Sequence, residues 1–316
     1  MKKVLIIIFL FVLAQDVFSQ SFYSRRINRN WVATGGVGYA RALGDLTNPG
    51  SYFDSKLNFE GGIQYRASDR VNIRTNLLFF QLSGSDDDID PEQNTRSRGL
   101  SFVSNNVELS VGTSISLFPH MARYRQRKMI NPYAFAGIGV LFFDPRAEIP
   151  DSINVPGTGS VALENAGKMV SLAKYNTERP NDYSQFAFVI PVGVGVKVKV
   201  ADFLDVSAEV SNRITFTDYL DDVSGRNYAD PELFDFTKQE DREAYGLSNP
   251  TGTTSNIRGN PDSNDYYMIV TLKAEFYLQG DLFDKLFGIG GKRFKTQSRR
   301  RSGLFNFNNG PRRRMP

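Results

Sequence analysis

The sequence predicts an all-β fold: an eight-stranded antiparallel β-barrel that crosses an outer membrane with its strands. Three observations predict it. Stretches of strict apolar–polar alternation recur along the chain, eight in all. The polar positions inside them carry charges of both signs in near balance. The segments between them alternate between short and long.

The runs come in order. The first, about Trp31–Arg41, is rich in Gly and aromatics and less clean than most. LNFEGGIQYR sets Leu57, Phe59, Ile63 and Tyr65 against Asn58, Glu60, Gln64 and Arg66. VNIRTNLLF sets Val71, Ile73, Leu77 and Phe79 against Asn72, Arg74 and Asn76. VELSVGTSISL sets Val107, Leu109, Val111, Ile115 and Leu117 against Glu108, Ser110 and Ser114. The fifth, about Tyr133–Phe143, is again Gly- and aromatic-rich. IPVGVGVKVKV sets Ile190 and every second Val to Val200 against Gly193, Gly195, Lys197 and Lys199. LDVSAEVSNRITFT sets Leu204, Val206, Ala208, Val210, Ile214 and Phe216 against Asp205, Ser207, Glu209, Ser211, Arg213 and Thr215. YYMIVTLKAEFYL sets Tyr266, Met268, Val270, Leu272, Ala274, Phe276 and Leu278 against Thr271, Lys273 and Glu275. Period two over such lengths means a strand between two different environments. Each run is long enough to cross a membrane at a tilt, and an even count suits a single-chain barrel.

A soluble β-sandwich also alternates, but its polar face meets water and seldom carries mid-strand charges at this rate. Here the polar faces hold Glu60, Arg74, Glu108, Lys197, Lys199, Glu209, Arg213, Lys273 and Glu275. A narrow interior with little water makes such groups pair, and eight strands leave a lumen filled by side chains rather than an open pore. These nine residues are the expected lumen ion network. The hydrophobic fraction of 41% and mean hydropathy of −0.34 fit a barrel, because each strand dilutes its apolar face with a polar one.

Both ends of the chain carry signals. Residues 1–19, MKKVLIIIFLFVLAQDVFS, have a positive start at Lys2 and Lys3, then an apolar stretch Val4–Ala14 that is short for a span. Val17 and Ser19 are small enough for signal-peptidase cleavage, with Gln20 as the mature start. Absence of Cys excludes a lipid anchor on a thiol, a disulfide framework and thiolate chemistry. The expected organisation is a signal peptide at 1–19, a barrel at 20–279 and a basic tail at 280–316. From Lys285 to Arg314 ten residues are Lys or Arg and none is acidic.

Loop length divides the chain between two ends of a barrel. Short connections lie around Ser68 and Asp202, with a medium one at Phe118–Asn131; long ones are Gly84–Arg98, Asp144–Asp182 and Thr217–Asp265, with a small one near Asp45–Ser51. Outer-membrane barrels keep short turns in the periplasm and long loops outside. The short-turn side, with both termini, sums to +14 and the long-loop side to −13, a dipole hidden in a net charge of +4. Such a field can recruit an acidic partner. The candidate partner-binding residues are Arg123, Arg125, Arg127 and Lys128 in the medium turn. In the tail they are Lys292, Arg293, Phe294, Lys295, Arg299, Arg300, Arg301, Phe305, Phe307, Arg312, Arg313 and Arg314. Aromatics among arginines fit a segment that folds on binding. An exported chain is not expected to meet nucleic acid.

Catalytic chemistry is not legible. The single His, His120, sits in the basic turn, away from the partners a Ser-His-Asp arrangement would need. Borderline-soft metals find few ligands, and Asp218, Asp221 and Asp222 match no calcium-loop spacing. The glycines at 137, 139, 193 and 195 lack phosphate-loop context and instead suit a crowded lumen. No cofactor and no small-molecule substrate are expected.

ITFTDYLDDVSGRNY, at the end of the seventh run, with Thr217, Asp218, Tyr219, Leu220, Asp221 and Asp222, resembles the signature of PorG-type outer-membrane barrels of the type IX secretion and gliding machinery. PVGVGVKVKVADFLDVSAEVSNR is similar to that family's sixth and seventh strands. The resemblance implies a non-enzymatic component in outer-membrane lipid. It also implies partners in a periplasmic ring made of a lipoprotein and its partner protein. The motif itself reads either as a turn that orders the last long loop or as a contact surface, the first being favoured. A general structural barrel whose tail binds cell wall or anionic lipid is the alternative.

Overall fold

The computed structural model describes residues 30–43, 55–86, 98–119, 128–155, 159–180, 182–224, 227–252, 258–259 and 264–278. The expected signal peptide, His120, Arg123, Arg125, Arg127 and the tail at 280–316 lie outside the described residues.

The strands in chain order are β1 (Trp31–Leu43), β2 (Lys56–Arg66), β3 (Val71–Ser85), β4 (Ser101–Ser116), β5 (Ile130–Phe142), β6 (Pro145–Glu148), β7 (Ser152–Val155), β8 (Gly159–Ala162), β9 (Met169–Ser171), β10 (Phe186–Lys199), β11 (Leu204–Thr215) and β12 (Tyr266–Tyr277). Eight of them, β1–β5 and β10–β12, form the wall. Each wall strand pairs antiparallel with the next. β12 returns to β1, from Val32 opposite Tyr277 to Leu43 opposite Tyr266, and closes the sheet. Closure leaves the wall no free edge.

The two faces of the wall are inverted relative to a soluble protein. Outward positions are apolar and exposed, among them Leu109, Ile138, Val194, Val210, Val270 and Leu272. Inward positions are polar and buried, among them Asn58, Glu60, Arg74, Glu108, Glu209, Lys273 and Glu275. Water would leave the outer face unfavourably solvated; hydrocarbon does not. Aromatic side chains sit outside at both strand ends. Phe142 and Phe186 pack with ring centroids 5.2 Å apart at the loop end, and Trp31 and Tyr65 at 4.9 Å at the other. Even strand number, antiparallel order, an apolar band and aromatic girdles make this a membrane-spanning barrel of the outer-membrane type. Among the described residues no helix is long and apolar enough to cross a membrane.

Two tight wall turns fall at one end: the β2–β3 turn, where Ala67 and Ser68 N–H groups donate to the Val71 carbonyl, and the β10–β11 turn at residues 200–203. β4 ends and β5 begins there, Leu117 N–H donating to the Pro132 carbonyl at 2.8 Å. β1 begins and β12 ends there too, Leu278 N–H donating to Trp31 at 2.8 Å.

At the other end the connections after β5 and after β11 carry secondary structure among the described residues, which apolar–polar alternation does not reveal. β4 outreaches β5, and its overhang pairs with β6, which pairs with β9. β7 and β8 form a separate hairpin. A short helix spans Leu172–Tyr175 and a ten-residue helix spans Gln239–Ser248. The apolar core runs without a break from the lumen's loop end (Leu82, Phe102, Leu141) into these loops (Phe143, Ile149, Leu220, Tyr245, Leu247). The loops therefore form a cap packed on the barrel mouth.

Val210 lies between Val194 and Val270 in mid-wall. Val210→Arg is expected to lose about 2–4 kcal/mol in denaturant unfolding from lipid vesicles, as for a cation at bilayer midplane. Asp69→Arg, in the exposed β2–β3 turn, is expected to change stability by less than about 0.5 kcal/mol.

Candidate functional site

Two buried polar assemblies organise the molecule: an ion network in the lumen and a hydrogen-bonded hub in the cap.

The lumen network has three tiers. In the middle, Arg74 grips Glu209 with both ends of its fork, at 3.0 and 2.9 Å. Lys273 bridges Glu209 and Glu60 at 2.5 Å each, Glu60 lies 3.6 Å from Arg74, and the Tyr133 hydroxyl donates to Glu209 at 2.6 Å. Towards the loops, Arg213 pairs with Glu108 at 3.2 Å and the Tyr267 hydroxyl donates to the same carboxylate at 2.9 Å. Towards the turns, Lys197 pairs with Glu275 at 2.7 Å, Ser207 donates to Glu275 at 2.8 Å, and Tyr277 donates to Asp205 at 2.6 Å. Bidentate and charge-assisted bonds of this kind are the strong ones. In a medium without water they are also obligatory, because a lone buried charge costs several kcal/mol.

Backbone register makes room for these groups. Gly193 stands opposite Phe135 and Gly195 opposite Tyr133. A Cβ at Gly195 would come 2.6 Å from Tyr133 Cζ, and one at Gly193 2.7 Å from Phe135 Cζ. The rings lie over the glycines and under the cations: Arg74 sits 4.1 Å from the Phe135 centroid and Lys197 4.9 Å from that of Tyr133. The glycines of the sixth run are thus the space the aromatic–cation stack occupies.

Eight of the nine expected network residues lie buried in the lumen. Lys199 departs from the expectation. It is the last residue of β10, its side chain is partly exposed, and it pairs with Asp202 in the turn at 3.1 Å. The alternation places it on the inner face, but the strand ends before that face is enclosed. Lys128, the described member of the basic turn, is exposed. Alternation missed the lumen tyrosines Tyr133, Tyr267 and Tyr277. An amphipathic ring with a hydroxyl reads as apolar in a binary pattern but serves here as a donor.

The TDYLDD motif is the centre of the cap hub. Leu220 is in the apolar core, and its N–H donates to Asp265 at 3.0 Å, pinning the start of the loop to its end. Tyr219 stacks on Tyr183 at 4.6 Å between centroids and an interplanar angle of 6°. Thr217 accepts from the Tyr219 N–H at 3.3 Å. Asp221 accepts from the Val223 N–H at 3.0 Å, and Asp218 is buried. Asp222 has φ of 62°, a conformation Asp tolerates better than most residues. Its carboxylate accepts from Tyr183 at 2.6 Å and from Thr177. Arg258 donates to its carbonyl at 3.0 Å and also to Glu178. Arg98, clamped on Asp86 at 2.6 Å, donates to the Arg258 carbonyl. The motif thus joins three of the long connections. Glu243, on the ten-residue helix, adds a second staple by accepting from Asn165 at 2.8 Å and Tyr175 at 2.9 Å.

Burial pushes the Asp222 carboxyl up to about 7, overcoming the two hydroxyl bonds that favour its charged form. Burial and the nearby Asp222 charge push Tyr183 up as well, so it stays a donor. Among the described residues no group of three or more His, Cys, Asp or Glu is arranged to hold a metal ion.

No family model matches the chain, and no curated protein matches it. Solved structures similar to it include Neisserial surface protein A, at 10% identity over 79% of this chain and 97% of that one, with a TM-score of 0.37. The attachment invasion locus protein Ail of Yersinia pestis follows at 8%, 78%, 96% and 0.35. The outer membrane protein OprG from Pseudomonas aeruginosa stands at 8%, 78%, 96% and 0.33. The eight-strand assignment stands on this chain's own register and on its inverted faces.

Two outcomes are expected. Glu209→Gln leaves Arg74 and Lys273 undercompensated and is expected to cost about 3–5 kcal/mol in unfolding; adding Lys273→Met is expected to recover part of the loss, read as a double-mutant coupling energy. For Asp222, a folded-state value above the unfolded one stabilises the cap below the unfolded value and ceases to do so as pH rises through about 7. Proteolysis of the cap in the intact barrel is therefore expected to accelerate between pH 5 and about 8, and Asp222→Asn to flatten that dependence.

Proposed function

We propose that the chain is a non-enzymatic outer-membrane scaffold of the type IX protein secretion and gliding machinery. Its basic periplasmic face and tail bind the periplasmic ring of a lipoprotein and its partner protein. The observation that carries the reading is the filled lumen. Side chains from the wall strands occupy the interior and pair there, which leaves the two ends as the surfaces for work. The turn end gathers both ends of the wall, at Asn30 and Leu278, and exposed Lys128; the segments that the sequence reading assigns to that end sum to +14. With short turns in the periplasm, that end faces the ring. The TDYLDDVSG resemblance supports the choice of machinery, and one His in the whole chain supports a non-enzymatic role. In this reading Arg123, Arg125, Arg127, Lys128 and the Lys, Arg and Phe residues of 292–314 supply the contacts. The long loops face outward and the barrel rests in outer-membrane lipid.

Site-specific photo-crosslinking from Phe305 in cells, with mass spectrometry of the captured species, is expected to yield a periplasmic ring protein. Deletion of 280–316 is expected to reduce secretion of a type IX cargo while leaving the barrel folded. Added salt is expected to weaken the complex, since exposed charges are screened within about 8 Å at physiological ionic strength. Capture of lipid or wall polymer alone, with cargo secretion intact after the deletion, would assign the tail to envelope anchoring instead.

A further inference from the structure

We propose that the outer wall of the barrel holds one lipid of the loop-end leaflet at a fixed site. The contact is a hydrogen bond from the Asn212 amide to the carbonyl that joins an acyl chain to its headgroup. This goes beyond the scaffold reading and rests only on the membrane-spanning wall. The site is a groove of about 430 Å³ on the lipid side of β10, β11 and the start of β12. Val192, Ile214, Phe216 and Tyr266 give it apolar sides, and Asn212 lies among them.

Asn212 breaks a pattern. Along β11 the outward positions are Leu204, Val206, Ala208, Val210, Asn212 and Ile214, apolar but for one. The Asn212 side chain is exposed, and its register neighbours are Val192 on β10 and Met268 on β12. None of the residues around it on that face (Val210, Ile214, Val192, Met268) offers a donor or a strong acceptor. Two further amides face outward among the described wall strands, Gln81 and Asn105, and they satisfy each other at 3.1 Å. Asn212 makes no side-chain hydrogen bond within the described chain. An amide that faces hydrocarbon without a partner is costly, and a polar side chain at membrane depth points to a functional contact. Its partner has to come from the membrane.

Depth sets the chemistry of that partner. Phe216 and Tyr266 belong to the loop-end girdle, where aromatic rings meet the headgroups. Met268, opposite Asn212, is two residues further into the wall than Tyr266. At a rise of about 3.4 Å per residue and a tilt of about 40°, that is about 5 Å deeper. The headgroup layer of a bilayer is about 5–7 Å thick on each side, so Asn212 lies at its inner edge. Ester and amide linkages of acyl chains lie at that level. Phosphates and sugars lie further out, and the hydrocarbon below accepts no hydrogen bond. A transmembrane segment of another protein already uses its backbone carbonyls in its own hydrogen bonds, which favours lipid as the source. The linkage carbonyl accepts from Asn212 Nδ2, and the chain that follows lies against Val192 and Ile214.

The test uses the full chain, purified in detergent and mixed with equal amounts of two phosphatidylcholines of the same chain length. One is ester-linked and the other ether-linked, which removes the carbonyl and keeps the headgroup and chains. Native mass spectrometry reads the ratio of the two in the one-lipid adduct. A preference of about threefold or more for the ester lipid is expected, as for one net hydrogen bond. Asn212→Leu is expected to bring the ratio to one, with the unfolding transition in lipid vesicles unchanged or raised, because the amide has no partner within the described chain. Ile214→Trp, which fills the groove and keeps the amide, is expected to bring the ratio to one as well. A ratio of one in the unsubstituted chain, or a preference that survives either variant, would overturn the proposal. So would a dimer of the chain, seen without any ester preference and lost in Asn212→Leu, which would assign the groove to a second copy. None of these readouts involves the tail or cargo secretion, so failure here leaves the scaffold reading standing, and the reverse holds too.

Discussion

The carboxylate of Glu209 is the point on which the barrel turns. It receives Arg74 from β3, Lys273 from β12 and Tyr133 from β5. Four strands on different sides of the wall therefore meet on one group at the lumen axis. An eight-stranded cylinder cannot fill its interior with water and cannot leave charges there unmatched. Once the outward face is apolar, the inward face must carry whatever polarity the chain has, and that polarity must pair across the lumen. Glycines at the wall, aromatics over them and cations over the aromatics follow from the space this pairing leaves.

The cap repeats the same logic outside the membrane. Glu243 and Asp222 are buried carboxylates on which hydroxyls and amides converge from several loops, with Arg258 donating to the Asp222 backbone carbonyl beside them. The difference lies in how charge is matched. Glu209 is matched by two cations that it shares with Glu60, whereas Asp222 is held mostly by neutral donors, with Arg258 at 4.0 Å. The lumen is thus a fixed part, and the cap hub contains a carboxyl whose charge responds to pH near neutrality.

The wall was legible in the sequence because its signal is long. Runs such as Leu204–Thr215 keep period two over a dozen residues, and their charges announced a polar interior. The register that joins Glu60, Arg74, Glu209 and Lys273 was not legible, because pairing across a lumen depends on strand stagger and not on spacing along one strand. The cap was missed for a different reason. β6 to β9 are three or four residues each, too short for any period, and the pairing of β6 to the β4 overhang and of β9 to β6 is non-local. The helix Gln239–Ser248 did leave a trace: acidic residues Glu240 and Asp241 in its first turn and Ala244 and Leu247 three apart on one face. Between strand runs, two such features are too few to set a helix apart from a long loop. The loop-ordering role of TDYLDD was within reach of the sequence, since Asp and Thr in close succession favour local backbone bonds; its partners Thr177, Tyr183 and Arg258 were not.

Closure by β1 and β12 also has a mechanical side. β12 is hydrogen-bonded along its full length on both edges, from Tyr266 to Tyr277 against β1 and from Tyr266 to Phe276 against β11. Tension applied at its end, along the strand, would load both ladders in shear, so that every bond bears the force together. Peeling, which breaks bonds one at a time, would require a pull across the strand. A pull at Leu278 along the strand is therefore shared by two ladders, as it would not be at the free edge of an open sheet.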